Sequence, residues 1–124
     1  MGKIEIVHGT DLKKGESTQG IARDRAFETD DVLFARSRIS GGVKSGWHHH
    51  GERDLFGFLV AGRLRFDYGE GGSDSVEVSA GDFFHIQVGV VHRDVNPDQR
   101  QEAVVVNILL GRGPPVVNLS GHEG

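Results

Sequence analysis

The chain has 124 residues, a formal net charge of −4 at pH 7 and no cysteine. This length suits a single domain, and the absence of cysteine excludes disulfides, thiolate metal ligands and cysteine nucleophiles. The negative charge gives no electrostatic reason to expect nucleic acid or an anionic membrane as a partner. No apolar run approaches the ~18 residues that a membrane-spanning helix needs. We therefore expect one cytoplasmic domain over residues 1–124.

The first third of the chain carries mainly strand patterns. Residues 3–7 alternate as a strand would, residues 10–14 suit one short helical turn, and residues 20–27 are compatible with a short strand. Residues 32–39 form a clearer strand pattern, because small and aliphatic side chains alternate there with bulky and basic ones. This part of the chain therefore predicts β structure with at most one helical turn.

Denser strand patterns follow. The predicted strands, separated by turns rich in glycine, cover residues 55–61, 63–68, 75–78, 83–88, 92–95 and 103–110. Three consecutive valines at residues 104–106 argue against a helix, because each would lose side-chain freedom there. The tail after residue 110 is expected either to follow the body or to fray. Many short strands between glycine turns are typical of an antiparallel sandwich or a small barrel.

Four of the seven histidines lie in two short segments. His48, His49 and His50 follow a glycine-rich turn, and His92 begins a later predicted strand. In an extended segment His48 and His50 face one side and His49 the other. Two imidazoles from one strand and a third from a neighbouring strand can hold one divalent cation. Solvent-exposed loop histidines are the alternative interpretation.

Two spaced motifs contain these histidines. The first reads Gly42, five residues, His48-His49-His50, four residues, Leu55, six residues and Gly62. The second reads Gly81, five residues, Gln87-Val88-Gly89, two residues, His92, three residues and Asn96. With these spacings, residues 32–110 resemble the cupin superfamily, and in particular its small single-domain members. Leu55 stands where the family motif has glutamate, and Gln87 where it has proline.

The resemblance implies an all-β fold, the antiparallel double-stranded β-helix or jelly-roll barrel. It also implies a homodimer and one metal held by His48, His50 and His92. Because Leu55 removes the usual carboxylate ligand, the metal would keep its full charge and several open positions, which favours anionic, chelating ligands. Asp54 or Glu52 is a candidate fourth ligand, although strand parity directs Asp54 to the opposite face.

Family members with three-histidine sites include iron-dependent oxygenases. The implied function is therefore that of a dioxygenase-type oxidoreductase acting on a small anionic or chelating substrate, with Fe(II) as the metal and Mn, Ni, Zn, Co or Cu as alternatives. A metal-dependent lyase or isomerase of sugar acids, and a non-catalytic ligand-binding domain, stay open. No catalytic residue is assigned; His85 and Glu52 are the nearby candidates for acid–base work, and His85 also suits a structural or surface position.

Other residues near the predicted site have more modest roles. Leu55 shares a strand face with Gly57, so there should be room beyond the missing carboxylate. Asp94 shares strand parity with His92, and we expect it either to accept a hydrogen bond from a ligating imidazole or to pair at the surface. Asn96, before a proline, is interpreted as structural. His8 and His122, near the termini, are expected to have no chemical role.

Overall fold

The computed structural model describes residues 2–119, so His122 lies outside the described residues. Its strands are β1 (Lys13–Lys14), β2 (Ile21–Glu28), β3 (Val32–Ile39), β4 (His48–His49), β5 (Asp54–Ala61), β6 (Arg63–Tyr68), β7 (Asp74–Ser79), β8 (Phe83–Ile86), β9 (His92–Val95), β10 (Ala103–Leu110) and β11 (Val117–Asn118). A single 3-10 turn at Glu70–Gly72 separates β6 from β7. Within residues 2–119, no helix is long and apolar enough to cross a membrane.

The strands form two antiparallel sheets. The larger sheet has the order β1-β2-β3-β10-β5-β8, and the smaller sheet has the order β11-β4-β9-β6-β7. Neighbours in each sheet are mostly distant in sequence, because the chain crosses repeatedly from one sheet to the other. The all-β antiparallel class predicted from the sequence is confirmed.

The core lies between the two sheets and follows the alternation of the strands. In β3 and β10 every second residue is buried, as a half-buried strand requires. The buried apolar residues form two clusters: Ile21, Ile39, Leu59, Leu64, Phe66, Val78, Ala103 and Val105 in one, and Leu33, Ala35, Leu55 and Leu109 in the other. Phe84 and Ile86 of β8 pack against both clusters. Each large apolar side chain buried in this way contributes about 1.5–3 kcal/mol to stability.

The N-terminal expectations were partly wrong. Residues 3–7 form no strand: Ile4 and Ile6 are 92% and 75% exposed, and an alternating pattern without a neighbouring strand has no partner for its main-chain hydrogen bonds. Residues 10–14 form no helical turn, because Lys13–Lys14 pairs with β2 as β1. The tail follows the body, since Val117–Asn118 pairs with β4.

Two residues near the predicted site shape the barrel interior. Asn96, 1% exposed, donates from Nδ2 to the carbonyls of Ile39 and Gln101 and accepts from the backbone N–H of Asp98, so its role is structural as predicted. The room expected beside Gly57 does not exist. A Cβ added at Gly57 would collide with the ring of Phe84, which fills that space.

Candidate metal centre

Three imidazoles converge inside the barrel, on the inner face of the smaller sheet. His48 in β4 lies directly opposite His92 in β9, and His50 follows two residues after His48 on the same side. Their exposed fractions are 1%, 2% and 4% for His48, His92 and His50. One ring nitrogen from each lies within 4.8 Å of the others, a spacing that could hold a metal ion. His49 points elsewhere and accepts a hydrogen bond from the N–H of Gly51.

Main-chain carbonyls orient all three rings. The Nδ1 atoms of His48, His50 and His92 lie 3.0, 3.0 and 2.9 Å from the carbonyl oxygens of Gly46, Pro115 and Val90 respectively. A carbonyl can only accept, so each Nδ1 carries the proton and donates it. The neutral ring then presents an unprotonated Nε2, which is the form that binds a metal.

The environment keeps these rings neutral. Burial, reinforced by the charges of neighbouring His92 and Arg23, lowers the pKa of His48 to about 2. Burial also lowers the pKa of His50 to about 3, again with contributions from its histidine neighbours. The pKa of His92 is lowered by burial, although Asp94 opposes that shift. At neutral pH all three imidazoles are therefore free to act as ligands.

Asp94 extends from β9 toward the same point. Its Oδ1 lies 3.6 Å from Nε2 of His48 and 3.7 Å from Nε2 of His92. This oxygen is buried and has no hydrogen-bond partner. Asp94 does not accept a hydrogen bond from a ligating imidazole, because the Nδ1 protons go to main-chain carbonyls. It does not pair at the surface either, because it is only 8% exposed. The residue therefore fills neither of the two roles expected from the sequence.

The imidazoles and Asp94 surround a chamber of about 20 Å³. A volume of ~10–15 Å³ is enough for one water, so this chamber suits a single ion or water. Three neutral imidazoles and an unpartnered carboxylate are donors that divalent transition metals prefer. The residues present therefore fit the metal that the sequence led us to expect.

Two larger cavities adjoin this chamber. One of about 310 Å³, the entry cavity, shares Arg23, His50, Leu55 and Asn107 with it and also contacts Lys14. The other, of about 280 Å³, is mainly apolar and lies beyond a wall of Phe66, Phe84, Ile86 and His92. A small organic molecule can thus approach the imidazoles from a polar side or an apolar side.

Arg23 is a site residue that the sequence analysis missed. It lies opposite the inward-facing Ser37 in the β2–β3 register, and it donates to Oγ1 of Thr18 and to the carbonyl of Glu16. Burial lowers its pKa, while Asp94 and Glu16 oppose the shift. Its strand parity with Ile21 was the one available signal, and parity alone does not show whether a half-buried arginine reaches the interior.

The structure does not bring the other candidates to the imidazoles. Leu55 lines the chamber, whereas Asp54 faces outward and lies 2.8 Å from Nε2 of His85. The ring of His85 stacks on Phe56 at 4.2 Å on the outer face of the larger sheet. Glu52 is exposed. Strand parity explains why Asp54 and His85 face outward, because each is adjacent in its strand to a side chain that faces inward.

Comparisons with known proteins identify the family and the fold of this chain. The family model for the cupin domain matches residues 35–109, more than half of the chain. No curated protein matches the sequence. The polyketide cyclase RemF of Streptomyces resistomycificus is similar in structure (TM-score 0.75, 19% identity, 96% of this chain and 89% of that one). KdgF of a Halomonas species has TM-score 0.69 and 18% identity, over 88% of this chain and 96% of its own. A Klebsiella pneumoniae protein with a double-stranded β-helix domain has TM-score 0.74 and 15% identity, over 95% and 99%. At these identities the likeness shows the fold alone.

Proposed function

The chain belongs to the cupin domain family, and from that membership we propose that it is a metal-dependent enzyme with one divalent transition metal held by His48, His50 and His92. The observation that carries this proposal is the convergence of three buried, neutral imidazoles on a chamber of single-ion size, with cavities on either side. A buried cluster of this kind without a ligand would desolvate three ring nitrogens for no gain in stability. The neighbouring cavities support a reactive centre over a purely structural one, because they give a small ligand access to the imidazoles.

We assign it dioxygenase-type chemistry on a small anionic, chelating substrate. When bound, Fe(II) would supply oxygen activation, whereas Mn, Co, Ni, Cu or Zn would supply other redox or Lewis-acid chemistry. The protein would support the oxygen reaction mainly by holding the metal and the substrate in position. Among the described residues that line the chamber, the titratable side chains are the three imidazoles, Asp94 and Arg23. A lyase or isomerase needs a free base; of the two sequence candidates, Glu52 is exposed, and His85 lines the apolar cavity but is paired with Asp54.

Arg23 supports the anionic class of substrate. Arg23 lines both the chamber and the entry cavity, and its guanidinium would pair with a carboxylate or enolate that binds beside the imidazoles. Asn107 lies on the same cavity wall but already donates from Nδ2 to Oγ of Ser37, leaving its carbonyl oxygen as an acceptor. Leu55 supplies the apolar part of this wall.

Replacing Arg23 with glutamine should weaken the binding of small anionic chelators to the metal-loaded protein by about ten-fold or more, since a desolvated charge-assisted hydrogen bond contributes ~1.5–3 kcal/mol. The dissociation constant of oxalate or a 2-hydroxy acid, measured calorimetrically, checks this. The matched control is Arg25→Gln, because Arg25 lines the outer part of the same cavity and is already paired with Glu28 at 2.9 Å. Equal losses in both variants would contradict a specific role for Arg23.

Oxygen uptake tests the proposed reaction. Anaerobically purified protein would be analysed for metal content, loaded separately with Fe, Mn, Co, Ni, Cu and Zn, and mixed with 2-hydroxy acids, 1,3-diketones and catechols. We expect uptake that depends on both Fe(II) and one substrate class, and that His48→Ala abolishes. Substrate conversion without oxygen uptake would replace the oxygenase assignment with a Lewis-acid lyase or isomerase. Binding without conversion would leave a ligand-binding protein.

We also propose that two copies of the chain form a homodimer through the outer face of the larger sheet. The C-terminal strand β11, which pairs with β4 of its own chain, is only two residues long and offers a short edge to a second copy. The outer face instead presents a contiguous apolar surface with Phe56, Phe83 and Ile108 at 42%, 82% and 36% exposure. Exposed apolar patches of this kind mark interaction sites, and a two-fold axis would bury the same patch on both copies.

The dimer should be lost when a charge is placed in this patch. Phe83→Asp is expected to give a monomeric mass by light scattering at micromolar concentration, while the unmodified chain gives twice that mass. Val88→Asp, at an apolar and half-exposed position on the loop after β8, is the control and should stay dimeric. A monomeric unmodified chain would show the homodimer proposal to be wrong.

A further inference from the structure

Within residues 2–119, the carboxylate of Asp94 is the one strongly buried acidic group that lines the imidazole chamber. Its main chain is fixed on both sides by Ser45: the Asp94 N–H donates to Oγ of Ser45 at 2.9 Å, and the Asp94 carbonyl accepts from the Ser45 N–H at 2.8 Å. The side chain is therefore held in place by the sheet rather than by a partner of its own. We infer that Asp94 is a fourth protein ligand of the metal proposed above, and this inference rests on that metal site.

The distances support direct ligation. Donor atoms about 2.1 Å from one ion lie ~3.0 Å apart in neighbouring octahedral positions and ~3.4 Å apart in a tetrahedron. Oδ1 of Asp94 lies 3.6 and 3.7 Å from the Nε2 atoms of His48 and His92. For these two pairs, a contraction of a few tenths of an ångström around an ion would reach the tetrahedral spacing. Because Nδ1 of each ring donates its proton to a carbonyl, Nε2 carries no proton and is the atom that can bind a metal. Oδ1 of Asp94 therefore faces the metal-binding nitrogen of both rings.

The charge of the buried Asp94 carboxylate also supports direct ligation. A buried carboxylate without a hydrogen bond or a partner cation is unfavourable by several kcal/mol. Arg23 acts on Asp94 only through its charge, because its hydrogen bonds go to Thr18 and Glu16. A divalent ion in the chamber would satisfy Oδ1 directly. The metal would then carry a reduced charge, in contrast to the fully open three-histidine site that Leu55 suggested.

This placement changes which side of the metal is open. All four ligands would come from the smaller sheet and the loop after β4, with His92 and Asp94 on one strand. The larger sheet, where the family motif has its glutamate, contributes only wall residues such as Leu55 and Asn107. The substrate would therefore bind between the metal and the larger sheet, on the side of the entry cavity.

Titration of the metal-free protein with Co(II) tests the inference, because its visible spectrum reports ligand number and type independently of turnover. We expect Asp94→Asn to lower Co(II) affinity by about ten- to a hundred-fold or more and to change the spectrum. Asp54→Asn is the matched control, because Asp54 is a strand carboxylate on the outer face, and it should titrate as the unmodified protein does.

Leu55→Glu in the Asp94→Asn background separates ligation from a structural role. It offers a carboxylate from the family position on β5, so it should restore part of the lost Co(II) affinity, whereas it could not repair a fold defect. Unchanged affinity and spectrum in Asp94→Asn would overturn the inference and leave the three-histidine site in place. If the unmodified protein binds no Co(II), Fe(II) or Zn(II), the proposed function itself is overturned.

Discussion

Replacing His48 with alanine should lower the affinity for divalent metal by at least about a hundred-fold. Changes that only disturb the orientation of a ligand lower metal affinity about 10–100-fold, and loss of the ligand itself is expected to do more. The same result is expected for His50→Ala and His92→Ala, since one nitrogen of each ring converges on the same chamber. Metal content after purification, together with calorimetric titration of Fe(II) or Zn(II), measures the effect.

His49→Ala is the matched control for this result. His49 is adjacent in sequence to two proposed ligands, but its Nδ1 accepts a hydrogen bond from Gly51 and its ring lies outside the cluster. We expect it to keep nearly full metal binding. Circular dichroism should show that all four variants keep the β structure. Loss of metal in His49→Ala with retention in His48→Ala would contradict the register of β4 on which the site depends.

The metal-free protein should lose several kcal/mol of stability between pH 7 and pH 5. The imidazoles of His48 and His50 have pKa values lowered from 6.5 to about 2 and about 3 in the folded state. Below pH 6.5 the unfolded chain binds protons that the folded chain does not, so the free energy of unfolding falls as the pH falls toward those values. At pH 5 each group removes ~2 kcal/mol, and His92 acts in the same direction. This is a large share of the ~5–15 kcal/mol that stabilises a domain.

Urea unfolding of chelator-treated protein at pH 7.5, 6 and 5 would measure this loss, with the fluorescence of the buried Trp47 as the probe. His48→Gln should reduce the pH dependence by about one proton, because it removes one of the groups that binds a proton only in the unfolded chain. Saturating Zn(II) should shift the acid transition to lower pH, because metal binding competes with protonation. A flat stability from pH 7.5 to pH 5 would mean that the imidazoles are not held neutral by burial.

Periodicity and spacing were enough for the strands and for the imidazole cluster. β9 and β10 have the predicted bounds, and His48 and His50 share a face because alternate residues of a strand do. The failures have a common cause: residues 3–7 have a strand pattern but no neighbouring strand, and a pattern does not show whether a partner exists. The space beside Gly57 was misjudged similarly, because Phe84 enters it from another strand.

The inner polar residues were less predictable than the ligands. Arg23 and Asp94 lie on different sheets, at strand positions that most often hold apolar residues, and only the packing of the two sheets brings both to one chamber. The sequence suggested Asp54 or Glu52 as the replacement for the missing glutamate because they are adjacent to Leu55. In the folded chain the nearest unpartnered carboxylate comes instead from the strand that carries His92.

The carbonyl groups that orient the three rings have an evolutionary consequence. Every amino acid carries a peptide carbonyl, so the acceptors at Gly46, Val90 and Pro115 persist whatever side chains replace these residues. A Cβ at Gly46, for example, would make only ordinary contacts, the nearest at 3.7 Å. Neutral drift at such positions can proceed without altering which ring nitrogen is free. Ring orientation is thus inherited with the path of the main chain, and comparing side chains among homologues would not reveal it.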